Sequence, residues 1–96
     1  MEYTYPFSQH WTTEEVIDTV AFFQAIEKVY EKGILREDLL KAYRRFKEIV
    51  PGKADEKKLT DEFKDASGYS PYEAVQLMKQ AAPGSVIQMK QRKSGR

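Results

Sequence analysis

Apolar residues recur at helical spacing in four stretches of the chain, and each stretch is closed by a stop signal. In the first, Val16, Val20, Phe23, Ile26 and Tyr30 share one face, with Phe22 and Val29 widening the stripe. Thr12 with Glu15 three residues later is a capping box, and Trp11 and Val16 are placed around it as a hydrophobic staple. Gly33 supplies a left-handed stop. This spacing predicts a helix over 13–32, ~30 Å long. Leu35, Leu39, Tyr43, Phe46 and Val50, with Ala42 and Ile49 beside them, predict a second helix over 35–50. Pro51-Gly52 ends it, because proline cannot continue the hydrogen-bond ladder.

A third helix is expected over 54–67. Its stripe holds only Leu59, Phe63 and Ala66, so it must lean on its neighbours. After Gly68, Ser70-Pro71-Tyr72-Glu73 combines a capping box with proline at the first helical position. The fourth helix, over 71–82, then presents Tyr72, Val75, Met78 and Ala82 before Pro83-Gly84. The two ends differ. Tyr3, Tyr5 and Phe7 alternate around Pro6 at extended-chain spacing, and Ser85 to Met89 reads as a short extended segment. The expected organisation is a single all-α domain over 1–89, with the long first helix against the second. An aromatic N-terminal arm precedes the helices, and 90–96 form a basic tail expected to be mobile.

Composition narrows the function classes. Apolar residues make up 41% and charged residues 32% of the chain, the balance of a soluble globular domain. No apolar run approaches the ~20 residues of a membrane span. The first six residues lack the basic run and apolar core of a signal peptide, so a cytoplasmic location is expected. The absence of cysteine excludes disulfides, thiolate metal sites and cysteine nucleophiles. Net charge alternates along the chain: −4 over 1–33, +3 over 34–58, −2 over 59–83 and +4 over 84–96. An acidic first third beside a basic second third suggests self-complementary packing more than a nucleic-acid footprint.

Several of these runs together carry a resemblance. Tyr5-Pro6, Trp11-Thr12-Thr13-Glu14-Glu15, Ala42 to Pro51 and Ser67-Gly68-Tyr69-Ser70 resemble the YktA-like family, small uncharacterised proteins of Bacillus and related Firmicutes. The likeness runs from about residue 2 to residue 80. It implies a compact all-helical cytoplasmic protein and brings no catalytic or binding residues with it. The basic tail lies outside the part that carries it.

The chemistry tested against the residues is sparse. One histidine, His10, gives no set of zinc ligands, and no carboxylate cluster has metal-site spacing, so neither a metal nor a cofactor is expected. Ser67 and Ser70 form a stop-and-start signal without an implied base, and single scattered glycines make no phosphate loop.

Three candidate features remain. Glu27 projects onto the apolar stripe between Val16 and Val20, where burial requires a partner. Arg44 or Arg45 is the expected partner in a structural ion pair. Arg44, Arg45, Lys47, Lys53, Lys57 and Lys58, with Lys90, Arg92, Lys93 and Arg96 of the tail, are candidate phosphate contacts. Arg44 with Glu48 and Glu37 with Lys41 also have the spacing of ordinary surface pairs. Tyr3, Tyr5, Phe7, Trp11, Tyr69 and Tyr72, half of twelve aromatic residues, fall in connections or at helix starts and form a candidate partner surface. The favoured reading is a non-catalytic module that contacts another protein or a second copy of itself. The alternatives are a nucleic-acid-binding accessory protein and, third, a small-ligand enzyme built around Glu27.

Overall fold

The computed structural model describes residues 5–89, and within them the four helices appear in the expected order. Helix α1 spans Thr13–Glu31, α2 Arg36–Ile49, α3 Lys53–Ser67 and α4 Pro71–Gln80. Two short strands, β1 (Ile34–Leu35) and β2 (Val86–Ile87), pair antiparallel with Ile34 opposite Ile87 and Leu35 opposite Val86. The fold is all-α, with α1 against α2 as its most extensive interface. Tyr3 of the arm and the tail residues Lys90, Arg92, Lys93 and Arg96 lie outside the described residues.

Local chemistry explains the boundaries. The Glu15 N–H donates to the Thr12 hydroxyl at 3.1 Å while the Thr12 N–H donates to the Glu15 carboxylate at 2.9 Å, so the first capping box closes. The second closes only halfway. The Glu73 N–H donates to the Ser70 hydroxyl, but the Ser70 N–H turns to the Tyr30 hydroxyl at 3.2 Å. Gly33 has φ +94°, and a Cβ there would sit 2.9 Å from a Val86 methyl, so this turn favours glycine by conformation and by space. Leu35 was expected on the face of the second helix. It is instead the extended cap before α2, exposed on the outer side of the two-strand ladder. Helix α4 ends at Gln80, two residues short of the expected boundary, which leaves Ala82 exposed.

The returning chain is tied down by polar contacts. The Arg36 N–H donates to the Ser85 carbonyl and the Met89 N–H to the Val29 carbonyl, each at 2.8 Å. The Arg36 guanidinium donates to the Met78 carbonyl at the end of α4, which also accepts from the Ala81 N–H. Glu37 accepts from the Gly84 N–H, and that bond chiefly holds its carboxyl below the usual range.

The core is a relay of rings. Phe46 stacks on Phe22 at 4.4 Å, Phe22 touches Phe23 at 5.4 Å, and Phe23 stacks on Phe63 at 4.6 Å. This packs α1 against both α2 and α3. Burying both Phe22 and Phe23 turns α1 away from the expected stripe. Thr19, Phe22, Ala25, Ile26 and Val29 are buried with Phe23, while Val16 and Val20 are only half-buried. At ~100° per residue, with Phe22 and Val29 counted in the expected stripe, the buried face is rolled by roughly 50°. Helix α3 contributes only Phe63 and Ser67 to the buried set, and Ala66, expected on its stripe, is exposed.

Thr19 is the cost of that roll. It is fully buried at mid-helix, and its hydroxyl has no hydrogen-bond partner among the described residues. Thr19→Val keeps the shape and removes the unpaired oxygen, so it should raise stability by about 1 kcal/mol in urea denaturation. A comparable loss would show that the hydroxyl is paired in solution.

Candidate functional site

Tyrosines that the sequence offers as surface are largely used inside the fold. The Tyr5 hydroxyl donates to the Glu27 carboxylate, 2.8 and 3.0 Å from its two oxygens, and the Tyr5 ring stacks on Phe63 at 6.1 Å. One turn along α1, Glu31 accepts from the Tyr69 hydroxyl at 2.9 Å. Tyr69 is 8% exposed, and its ring stacks on Tyr30 at 4.7 Å. Burial first, and then the neighbouring carboxylates, push the Tyr5 and Tyr69 hydroxyls up to about 12. Burial also raises Tyr30.

The expected aromatic patch therefore does not assemble as a free surface. Among its described members Tyr69 is buried, Tyr5 and Trp11 are half-buried against the core, and only Phe7 and Tyr72 are exposed, at 54% and 69%. The physical reason is that Glu27 and Glu31, one turn apart, accept from the hydroxyls of Tyr5 and Tyr69 while Phe63 and Tyr30 take their rings.

Glu27 is not the ion-pair partner of Arg44 or Arg45. The roll of α1 places it at the half-buried margin of the core, held by Tyr5. Arg45 instead meets Asp18 at 2.8 Å and Glu48 at 3.2 Å. Asp18 precedes Glu27 by nine residues, which is half a turn around α1 and ~13.5 Å along it, so one guanidinium cannot serve both. Arg44 is exposed and does not pair with Glu48, whose recorded partner is Arg45. Glu37 is bound to Gly84 and Arg36 instead of Lys41.

The other candidate phosphate contacts are scattered. Lys47 pairs with Glu56, and Lys57 pairs with Asp61, which holds the Lys57 ammonium above its ordinary value. Lys53 and Lys58 are exposed on α3. The structure gathers Arg45, Lys47 and Lys57 against carboxylates of the chain itself, not into one basic platform.

What the structure does assemble is a groove between α3 and α4, with a volume of about 640 Å³. It exists because α3 is anchored mainly through Phe63 and Ser67, so the face beside that anchor stands away from α4. That face carries Lys53, Glu56, Lys57, Thr60, Asp61 and Lys64, spaced as one side of a helix. Tyr72, Glu73, Gln76 and Lys79 line the α4 wall, with Phe22, Tyr43 and Val75 at the apolar base. Lys79 places its ammonium 5.8 Å from the centre of the Tyr43 ring. Sequence reasoning counted Tyr43 as core and passed over Lys64 and Lys79. The signal available was the polar stripe 53-56-57-60-61-64, the mirror image of the apolar stripe that defines a helix.

Comparison with known proteins finds sequence relatives along most of the chain. The model of the uncharacterised protein family UPF0223 matches residues 2–87. A UPF0223 protein of Bacillus subtilis, YktA, is 62% identical over 81 residues, covering 84% of this chain and 92% of the relative. A UPF0223 protein of Bacillus mycoides is 55% identical over 93% of this chain and 100% of its own length. One from Oceanobacillus iheyensis is 50% identical over 90% of this chain and 98% of its own length. Within the described residues, no helix is long and apolar enough to cross a membrane.

Proposed function

Because the chain belongs to the uncharacterised family UPF0223, whose name assigns no chemistry, we propose from its geometry that it is a non-catalytic protein-interaction module with the α3–α4 groove as its docking site. The observation that carries this reading is the groove itself, an apolar base of Tyr43 and Val75 beneath walls of mixed charge, with Tyr72 standing at the rim. Pockets for small molecules enclose most of the ligand and carry few convergent polar groups. An open trough with charged walls suits a peptide segment better, since rim charges supply orientation and a few apolar anchors supply energy. Self-association, the other form of the expectation, would place a second copy in the same trough.

The enzyme reading built on Glu27 loses its setting. Glu27 is outside the groove, with its carboxylate held by Tyr5. The nucleic-acid reading requires Arg45, Lys47 and Lys57 to leave carboxylates they already hold.

Site-specific photo-crosslinking in Bacillus subtilis cells tests the proposal. A photoreactive residue at position 72 should give discrete protein adducts, whereas one at Ile17, which is also exposed but does not line the groove, should not. Equal adducts at both positions, or none at 72, would remove the groove as the docking site.

A further inference from the structure

Resting on the interaction-module reading, we propose that the segment received by the α3–α4 groove is an acidic peptide carrying an apolar or aromatic anchor. The argument is the charge left over once internal pairs are removed. Glu56 is held by Lys47, and Asp61 by Lys57. Lys53, Lys64 and Lys79 then remain, none with a carboxylate partner among the described residues, against Glu73 as the only other acid on the walls. The groove therefore presents an excess of positive charge although the surrounding stretch, 59–83, is net acidic.

The placement of these lysines matters as much as their number. Lys53 and Lys64 lie eleven residues apart on one side of α3, ~16.5 Å along the helix axis. Lys79 faces them from α4 and sits over Tyr43, at the base between the two walls. An occupant with carboxylates toward both ends and an apolar side chain between them would satisfy the lysines and cover Tyr43 and Val75. That is a pattern of acid, anchor and acid, readable within ~5 residues of extended chain.

Other occupants fit less well. Residues 84–96 of the chain carry four basic and no acidic side chains, so this stretch repeats the sign of the groove's excess charge. A nucleic-acid backbone would bring phosphates along the whole trough, past Glu56, Asp61 and Glu73 as well as the lysines. A peptide can place its carboxylates only where the lysines are.

The test is selection from a random-peptide phage library on the full chain, followed by fluorescence titration of the enriched peptides. Two variants accompany it: Tyr72→Ala at the rim, and the triple charge reversal Lys53→Glu, Lys64→Glu, Lys79→Glu. All four side chains are exposed, and circular dichroism checks that both variants retain the fold. The expected result is enrichment of acidic peptides with a Leu, Phe or Trp anchor. The triple variant should weaken their binding by about tenfold or more, and salt should weaken it further.

Enrichment of neutral or basic peptides whose binding Tyr72→Ala still impairs would overturn the acidic assignment and leave the docking groove standing. So would occupation of the groove by a second copy detected in sedimentation, whereas preferential occupation by a single-stranded oligonucleotide added as competitor would overturn the protein-interaction reading as well. No ligand sensitive to either variant would overturn both this inference and the interaction-module reading on which it rests.

Discussion

Phe63→Ala is expected to lower the stability of the fold by about 3–5 kcal/mol and to release α3 from the rest of the domain. Phe63 is the one large apolar side chain of α3 that is fully buried. Its ring touches Phe23 of α1 on one side and Tyr5 of the arm on the other, so a single truncation cuts two attachments. The rest of α3's hold is smaller: half-buried Leu59, the Lys47–Glu56 pair, and Ser67. The Ser67 hydroxyl donates to the Phe63 carbonyl and accepts the Tyr69 N–H. Domains of this size are stable by only about 5–15 kcal/mol, so the loss is a large share of the total.

Urea denaturation gives the magnitude of that loss, and amide hydrogen exchange shows where it falls. Protection should drop first over Lys53–Ser67. Phe63→Leu, which keeps burial and loses stacking, should cost much less. If Phe63→Ala costs only about 1 kcal/mol and α3 amides stay protected, the polar seam with α2 is what holds the helix. The groove would then be a rigid feature and not one framed by a loosely attached wall.

The parts of the fold legible in the sequence are those decided within one turn of chain. Thr12 and Glu15, Ser70 and Pro71, Gly33 and Gly68 each act through bonds or dihedral preferences to near neighbours, and the helix ends fall within about two residues of where they point. The orientation of α1 was not legible, because Phe22 and Phe23 are adjacent and a stripe drawn through one leaves the other at its edge. Only the packing of α2 and α3 against α1 decides that both are buried. The tyrosine–glutamate contacts join residues 22 and 38 positions apart, beyond any local pattern. Their one trace in the sequence is Glu27 and Glu31 at helical spacing in a chain with six tyrosines. The groove escaped notice for a different reason. Apolar periodicity reports where a helix touches its neighbours, whereas the groove lies where α3 fails to touch α4.

The second large effect is expected in alkali. Stability should fall steeply between pH 10 and 12, and the double variant Tyr5→Phe, Tyr69→Phe should flatten that fall. In the unfolded chain a tyrosine gives up its proton near 10. In the folded protein Tyr5 and Tyr69 hold theirs up to about 12, through burial and through donation to Glu27 and Glu31. Between those values the folded state keeps protons that the unfolded state has released, so rising pH favours unfolding. The contribution is fully present below pH 10 and is lost as pH climbs through the folded values. It amounts to about 1–2 kcal/mol for each tyrosine, since water reaches part of both sites.

The double variant separates this from the titration of lysines and of Tyr30, which it shares with the parent. At neutral pH the variant should be less stable by about 2–4 kcal/mol, the worth of two hydrogen bonds to charged acceptors. Above pH 12 the difference should shrink, because the parent has by then lost what the variant never had. Coincident stability curves for parent and double variant at all pH values would mean that the two hydroxyls are hydrated in solution and that stacking on Phe63 and Tyr30 alone fixes the rings. In that case Tyr5 and Tyr69 return to the surface with a polar end to offer, and the arm and the α3–α4 connection become docking elements beside the groove.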